Sequence, residues 1–264
     1  MRKTFTVLLL LCAALWGAGA QGFEADSLEV KTEAPLINDY TLIGVNYGVS
    51  FANMYFSPAR TNRAFTVCPN YVSVTFTKFS KMFDKLPYFA LVIGAAHGYE
   101  AFAFEKNPET GYTQEVDGAE QAKMEVFEIP AMAQIHADFY PGKLMVNVGV
   151  YGGWRKTITR SGPTLDPAYT NAFRPYEHQL DYGLQGGLGF GLMFDPVEIH
   201  LNALVRWSWS SLYDPDYASA YYYRYAYPMD AIVTLGVHFQ LTKRSGKTSQ
   251  ALRQEAKAIV YGTH

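Results

Sequence analysis

Hydrophobic and polar residues alternate one by one in eight stretches of the chain. Alternation with a period of two predicts β-strands that carry one apolar and one polar face. The apolar faces consist mainly of Val, Ile, Leu and aromatic residues, whereas the polar faces mix glycine with charged residues such as Glu198, Arg206 and Asp230. The pattern predicts an all-β protein with strands over residues 40–51, 67–79, 88–97, 126–139, 144–155, 182–194, 197–209 and 230–241.

The predicted connections between these strands alternate in length. Short turns at one end and long loops at the other are typical of outer-membrane barrels, whose long loops lie outside the cell. Glycine-rich faces also suit the narrow interior of a small barrel. We therefore expect an eight-stranded antiparallel up-and-down transmembrane β-barrel over residues 40–241, with short periplasmic turns and long extracellular loops. A soluble β-barrel or sandwich is the alternative. The short turns are residues 81–87, 140–142 and 195–196, and the long loops are 53–66, 99–125, 156–180 and 210–228.

Large aromatic residues fall at the ends of the predicted strands. Membrane barrels place such residues in girdles at the two membrane interfaces. The residues concerned are Trp154, Trp207 and Trp209 at the loop ends, and Phe139, Phe194 and Phe239 at the turn ends. No apolar run after residue 20 reaches the roughly 20 residues that a membrane helix needs. We therefore expect strands that cross the cell outer membrane, with its lipids as partners.

The segments flanking the barrel have distinct compositions. Residues 1–20 are predicted to be a signal peptide, because Arg2 and Lys3 precede an apolar stretch, and small residues up to Ala20 form a cleavage site after it. Residues 21–39 form a mostly acidic periplasmic lead-in. Residues 242–264 form a basic periplasmic tail, in which apolar residues at helical spacing leave open a short amphipathic helix.

Overall charge and cysteine content exclude several function classes. The formal net charge is −2, from 22 Lys and Arg against 24 Asp and Glu, so the clustered basic surface of a nucleic-acid-binding protein is not indicated. Cys12 lies in the predicted signal peptide and leaves Cys68 alone in the mature chain. We therefore expect no intramolecular disulfide, no metal and no cofactor.

The first predicted strand contains the segment Leu42–Met54, in which Gly44 and Gly48 form a Gly-x-x-x-Gly pattern that runs into Ser50 and Asn53. This segment resembles the start of PorT-family outer-membrane barrels, and the eight-strand layout and signal peptide match as well. The resemblance implies an outer-membrane barrel associated with type IX protein secretion. The implied partners are secretion-machinery or periplasmic proteins, and no catalytic residue comes with the family.

The predicted topology brings six polar residues to the lumen near the periplasmic end. They are His136, Asp138, Glu198, His200, His238 and Gln240. Histidines beside carboxylates are typical of metal sites and of pH-responsive clusters. We favour a hydrogen-bonded polar plug instead, because side chains fill the interior of an eight-stranded barrel.

The fourth long loop is crowded with tyrosines. Tyr217, Tyr221, Tyr222, Tyr223 and Tyr225 lie within nine residues. Tyrosine-rich loops make adaptable contact surfaces at low entropic cost, so this loop is a candidate contact with a protein or glycan. The alternative is a broad aromatic girdle that anchors the loop.

An outer-membrane lipid-modifying enzyme is the main alternative class. Such an enzyme needs a nucleophile and a base within hydrogen-bond reach near the outer rim. His97 and His178 are the rim histidines, and Ser161 and Ser210 are rim serines that could approach them. Because no strand places a serine beside either histidine, we expect a non-enzymatic barrel that acts as a scaffold or partner-binding component.

Overall fold

The computed structural model describes residues 40–57, 65–82, 86–139, 141–214 and 225–242. Within them, eight strands form a closed barrel in which each strand pairs antiparallel with the next, and the last strand closes against the first. This confirms the predicted eight-stranded antiparallel barrel. The strands are β1 (Thr41–Ser57), β2 (Thr66–Met82), β3 (Leu86–Ala103), β4 (Gln121–Phe139), β5 (Gly142–Ser161), β6 (Leu180–Phe194), β7 (Val197–Ser208) and β8 (Tyr225–Gln240).

The two faces of the strands follow the predicted alternation. On β1, Val45 and Tyr47 are exposed on the outside of the barrel, whereas Asn46 is buried inside it. On β7, Glu198 and Arg206 are buried in the same way. A soluble barrel buries its apolar side chains, so an apolar exterior around a charged interior excludes the soluble alternative.

The exposed apolar belt has the height of a membrane. On β5 it runs from Leu144 to Trp154, both of which are about half exposed. Ten residue steps at about 3.3 Å each, on a strand tilted by about 40°, rise by about 25 Å. Outer-membrane barrels have an apolar band of about that height.

Several strands extend further at the loop end than the sequence pattern predicted. The prediction began the second long loop at residue 99 and the third at residue 156, but β3 continues to Ala103 and β5 to Ser161. β4 likewise begins at Gln121, before the predicted residue 126. In these extensions the inward side chains are apolar and the outward ones polar, the reverse of the belt: Met124 and Ile158 are buried inside, while Lys123 and Thr157 are exposed. The reversal marks the upper edge of the lipid belt, beyond which water covers the outside of the barrel.

An apolar core fills the barrel at this loop end. Phe56 and Phe102 contact edge to face with ring centroids 5.1 Å apart, and Phe104 packs against both. The strand extensions therefore hold a core of the kind found in soluble proteins. Its buried members are Met54, Phe56, Phe102, Phe104, Val116, Ala122, Met124, Ile158, Leu212, Tyr213 and Ala226.

Several predictions fall outside the described residues. These are the signal peptide (1–20), the lead-in (21–39) and residues 243–264 of the basic tail. A short 3-10 helix, Pro167–Tyr169, lies in the third loop. In the part of the chain that the structure covers, no helix has the length and hydropathy needed to cross a bilayer.

Candidate functional site

A buried lysine forms hydrogen bonds inside the lumen at the turn end of the barrel. Lys143 on β5 donates a hydrogen bond from Nζ to Glu198 Oε2 on β7 at 2.8 Å, and another to the hydroxyl of Tyr40. Tyr40 donates to Glu198 Oε1 at 2.9 Å and stacks on Phe79, with ring centroids 4.3 Å apart. All four side chains are fully buried. Because a buried charge is costly without a partner, these groups form one interdependent unit. Lys143, Glu198 and Tyr40 are called the lower charge layer below.

Two of the three predicted lumen histidines stack beside this layer. The rings of His200 and His238 lie 4.0 Å apart between centroids. His200 Nε2 lies 2.9 Å from Glu198 Oε2, and His238 Nε2 lies 3.0 Å from Asn46 Oδ1. Gly44 pairs with His238 across β1 and β8, and a Cβ at Gly44 would overlap the imidazole ring. The structure thus brings His200, His238 and Glu198 together.

The other three residues of the predicted group lie apart from this stack. His136 Nδ1 lies 2.9 Å from Asp138 Oδ1, and its ring meets Phe79 edge to face at 4.9 Å. Gln240 donates a hydrogen bond to Asp195 in the turn before β7. Among the described residues, no group of three or more His, Cys, Asp or Glu side chains is arranged to hold a metal ion.

A second ion-paired layer crosses the lumen nearer the loop end. Arg206 on β7 is ion-paired with Glu128 on β4 and with Asp230 on β8, and all three side chains are buried. The Arg206 guanidinium also lies 4.9 Å from the ring centroid of Tyr151. Since β5 and β6 lie between β4 and β7 in the barrel, this pair connects strands that share no backbone hydrogen bonds.

A third ion pair lies beside the second. Arg155 donates from Nε to Glu100 Oε2 at 2.8 Å and from Nη2 to Asp181 Oδ1 at 2.9 Å. Ser208 also donates to Asp181. Together with Arg206, Glu128 and Asp230, these residues form what is called the upper charge layer below.

A small polar cavity of about 50 Å³ separates the two charge layers. Gln134 on β4 donates to Asn147 on β5 across its wall, at 2.8 Å. The cavity has room for a few water molecules at roughly 15 Å³ each. Its other polar lining residues are Asn46, Ser73, Thr75, Thr77, Gln185, His200, Asn202, Thr234 and His238.

Most of these charged residues are not among the site residues predicted from the sequence. Lys143 follows a Pro-Gly turn, and Arg155 falls at the predicted end of strand five, so both resemble the polar margins of a strand. The available signal was their position on an inward face. Lys143 is two residues before the inward Met145, and Glu128 lies on the face of strand four that the pattern had already assigned to the lumen.

The second and third loops are joined to each other above the barrel. Arg174 donates from Nη2 to the Asp117 carbonyl at 2.7 Å and from Nη1 to the Tyr176 hydroxyl at 3.1 Å. Tyr176 donates to Asp117 Oδ2 at 2.9 Å. Burial, together with this hydrogen bond to Asp117, raises the pKa of Tyr176. Gly118 turns the second loop with a positive φ of 82° against the third loop.

The third loop is also fixed to β5 and to the start of the fourth loop. Arg160 donates to the carbonyl oxygens of Tyr169 and Ala172 and is ion-paired with the buried Glu177. The His178 amide donates to the Leu212 carbonyl at 2.8 Å. Residues 104–120, 162–179 and 209–214 therefore form a connected structure, called the cap below.

An open groove of about 830 Å³ lies at the edge of the cap. Tyr225, the described member of the predicted tyrosine cluster, lines it and stacks on Tyr227 with ring centroids 5.9 Å apart. Other aromatic lining residues are Trp154, Phe173, Tyr182, Trp209 and Tyr213. Tyr217, Tyr221, Tyr222 and Tyr223 lie outside the described residues.

The rim serines have hydrogen-bond partners other than histidine. Ser161 accepts a hydrogen bond from Gln121 at 2.6 Å, and Ser210 donates to the Leu180 carbonyl at 2.7 Å. His97 Nε2 lies 2.9 Å from Glu125 Oε1 on the outside of the barrel. In the hydrogen bonds of the described residues, neither serine is paired with His97 or His178.

Comparison with known proteins gave structural neighbours only. No protein-family model matches the chain, and no curated protein matches its sequence. Neisserial surface protein A aligns with a TM-score of 0.43 and 9% identity over 75% of this chain and 96% of its own. Ail of Yersinia pestis, solved with the heparin analogue sucrose octasulfate, aligns with a TM-score of 0.39 and 11% identity over 77% and 100%. The translocator domain of the autotransporter NalP from Neisseria meningitidis aligns with a TM-score of 0.27 and 10% identity over 90% of this chain and 97% of its own.

The barrel and its surface define the class of the protein. In lipid every backbone polar group must be paired, and a closed barrel meets this condition because it has no free strand edge. With its apolar belt and charged lumen, this chain is a β-barrel of the cell outer membrane. More particularly, it is an eight-stranded barrel whose lumen is crossed by two charge layers. In such barrels the short turns face the periplasm and the longer loops face the outside.

Proposed function

We propose that the protein is a non-enzymatic outer-membrane barrel that presents its cap as a partner-binding surface outside the cell. The cap carries this proposal, because three loop segments are held to one another and to the barrel by a buried ion pair and several hydrogen bonds. A surface that is ordered before binding loses less conformational entropy when a partner binds. The cap therefore suits specific recognition.

The lumen supports a scaffold role over a transport role. Lys143 in the lower layer and Arg206 in the upper layer each bond to residues on other strands across the interior. Moving a solute through the barrel would break these pairs, and breaking a buried pair costs about 3–5 kcal/mol. Ser161 and Ser210 form hydrogen bonds with Gln121 and with the Leu180 carbonyl, not with a histidine, and this likewise favours a non-enzymatic role.

The resemblance of Leu42–Met54 to PorT-family barrels supports a finer proposal, a place in type IX protein secretion. The partners would then be secretion-machinery subunits or periplasmic proteins. The aromatic groove that contains Tyr225 favours a second candidate, a ligand-binding or adhesion barrel. In that case the partner contacts the groove from outside the cell.

Crosslinking followed by pull-down from intact outer membranes tests the proposal. We expect a partner that is recovered with the wild-type chain and lost when Arg174→Ala and Glu177→Gln loosen the cap. Thr159→Ala, an exposed change on the outer face of β5 and outside the cap, is the matched control and should keep the partner. Secretion-machinery subunits among the recovered proteins would support the type IX role, and a surface glycan or host protein would support the second candidate.

Recovery of the barrel alone, or equal recovery with the loosened cap, would contradict a partner-binding cap. The non-enzymatic part is tested separately by mass spectrometry of lipid A from a deletion strain. We expect an unchanged lipid A profile, and a lost acyl modification that returns on complementation would overturn this part.

A further inference from the structure

The outer wall of the barrel carries a groove of about 410 Å³ on β3, β4 and β5. Its floor is formed by small residues, Ala95 on β3 and Gly152 on β5. Its sides are the exposed side chains of Phe127, Ile129 and Trp154. The groove lies at the upper end of the apolar belt, where the outer leaflet contacts the protein.

Gly152 leaves the groove open. A Cβ at this position would meet no atom within 4 Å, whereas glycines on inward faces lie against neighbouring strands. Neither strand pairing nor lumen packing therefore requires a glycine here. The missing side chain at Gly152 and the small side chain of Ala95 leave a depression between the large side chains of Phe127, Ile129 and Trp154.

A polar cluster lies at the loop end of the groove, and Phe127 connects the two. The ring of His97 lies 4.9 Å from the Phe127 ring, and Lys156 Nζ lies 5.4 Å from the same ring centroid. Glu125 holds the cluster together, with His97 Nε2 at 2.9 Å from Oε1 and Thr157 Oγ1 donating to Oε2 at 3.1 Å.

The charge of this cluster is positive on balance. Lys156 lies 3.8 Å from Glu125, and its side chain is 57% exposed, so its ammonium is accessible to an added anion. Lys123 adds a second ammonium on the same outer face, over the ring of Tyr99 at 3.8 Å. Two lysines thus accompany one carboxylate, which His97 and Thr157 already engage.

We propose that this wall binds one anionic lipid of the outer leaflet. An acyl chain lies in the groove over Gly152 and Ala95, and the phosphate of the headgroup lies against the Lys156 ammonium. Apolar surface at this depth contacts acyl chains, and basic groups at the interface attract anionic headgroups. The groove and the cluster are continuous through Phe127, so a single lipid spans both.

Native mass spectrometry of the full chain, purified in mild detergent, tests this site with two lipids that share the same acyl chains. The probes are dioleoyl phosphatidylglycerol, which is anionic, and dioleoyl phosphatidylcholine, which is zwitterionic. We expect one tightly bound phosphatidylglycerol per wild-type barrel and weaker binding of phosphatidylcholine. Gly152→Leu should fill the groove and weaken binding of both lipids by about tenfold, which corresponds to about 1.4 kcal/mol.

Further variants separate the two halves of the site. Ala95→Leu fills the groove from the opposite strand and should act like Gly152→Leu. Lys156→Gln should weaken binding of phosphatidylglycerol more than that of phosphatidylcholine, and so reduce the preference for the anionic lipid. Ala203→Leu on the outer face of β7 adds the same bulk elsewhere, and Lys78→Gln on the outer face of β2 removes another lysine, so both should bind lipid as the wild type does.

Three results would overturn the proposal. One is equal affinity of the wild type for the two lipids. Another is unchanged binding in both Gly152→Leu and Ala95→Leu. The third is a loss in Ala203→Leu as large as that in Gly152→Leu, because lipid would then coat the belt without a specific site.

Discussion

Arg206 on β7 forms an ion pair with Glu128 on β4, across the barrel interior, and both side chains are almost completely buried. Asp230 on β8 contacts the same guanidinium. Hydrogen bonds of the sheet join each strand only to its two neighbours, so this contact adds a link between walls that the backbone leaves unconnected. The upper charge layer thereby couples the stability of distant strands.

Arg206→Met should destabilise the barrel strongly. The change leaves Glu128 and Asp230 buried without their common cation, and loss of one partner of a buried pair costs about 3–5 kcal/mol. Urea unfolding of the detergent-folded barrel, followed by tryptophan fluorescence, measures this loss. Adding Glu128→Gln and Asp230→Asn to Arg206→Met should recover much of it, because no uncompensated charge then remains. A single Arg206→Met variant as stable as the wild type would show that the pair contributes little.

Two glycines of β5 should differ in how much the same substitution destabilises the barrel. A Cβ at Gly149 would overlap the Ala131 carbonyl oxygen on β4, whereas one at Gly152 meets no atom within 4 Å. Gly149→Ala should therefore lower the free energy of unfolding by about 1–3 kcal/mol. Gly152→Ala should change it by no more than about 0.5 kcal/mol. Thermal unfolding, read as the loss of the compact barrel band on unheated gels, compares them, and equal midpoints would contradict the close approach at Gly149.

Loosening the cap should expose its loops without weakening the barrel. Arg174→Ala removes the hydrogen bond to the Asp117 carbonyl, which joins the second and third loops, and the bond that supports the Tyr176 hydroxyl beside Asp117, so the connection between the loops is weakened. Limited proteolysis of the folded protein should cut residues 104–120 and 162–179 several times faster, while the urea midpoint stays unchanged. Glu109→Ala is the matched surface control. Unchanged cleavage in Arg174→Ala would mean that other contacts hold the cap.

The strand pattern could be predicted because the lipid belt imposes one simple rule. Over that belt, outward residues such as Val45 must be apolar and inward residues such as Asn46 small or polar, and a period of two follows directly. The rule ends where lipid ends. Beyond it Lys123 turns outward and Met124 inward, so the same strand carries the opposite pattern and resembles a loop.

The charge layers were harder to predict, because their pairs depend on the stagger between distant strands. Glu198 and His200 share a face two residues apart, so their contact follows from the strand itself. The partnership of Lys143 with Glu198 joins β5 to β7 across an intervening strand. The alternation assigns both residues to the lumen but cannot give their relative heights, so such a pair appears only in the assembled barrel.

The extended end of β5 sets how far one side of the cap stands above the lipid. From Trp154, at the top of the belt, β5 runs on to Ser161 before the third loop begins. Seven residue steps at about 3.3 Å, on a strand tilted by about 40°, place the start of the third loop about 18 Å above the belt. Leu180, at the other end of the loop, pairs with Trp154 and lies level with it. This side of the cap therefore rests on strand ends that enclose their own apolar core, and in the proposed role a partner would contact it away from the lipid surface.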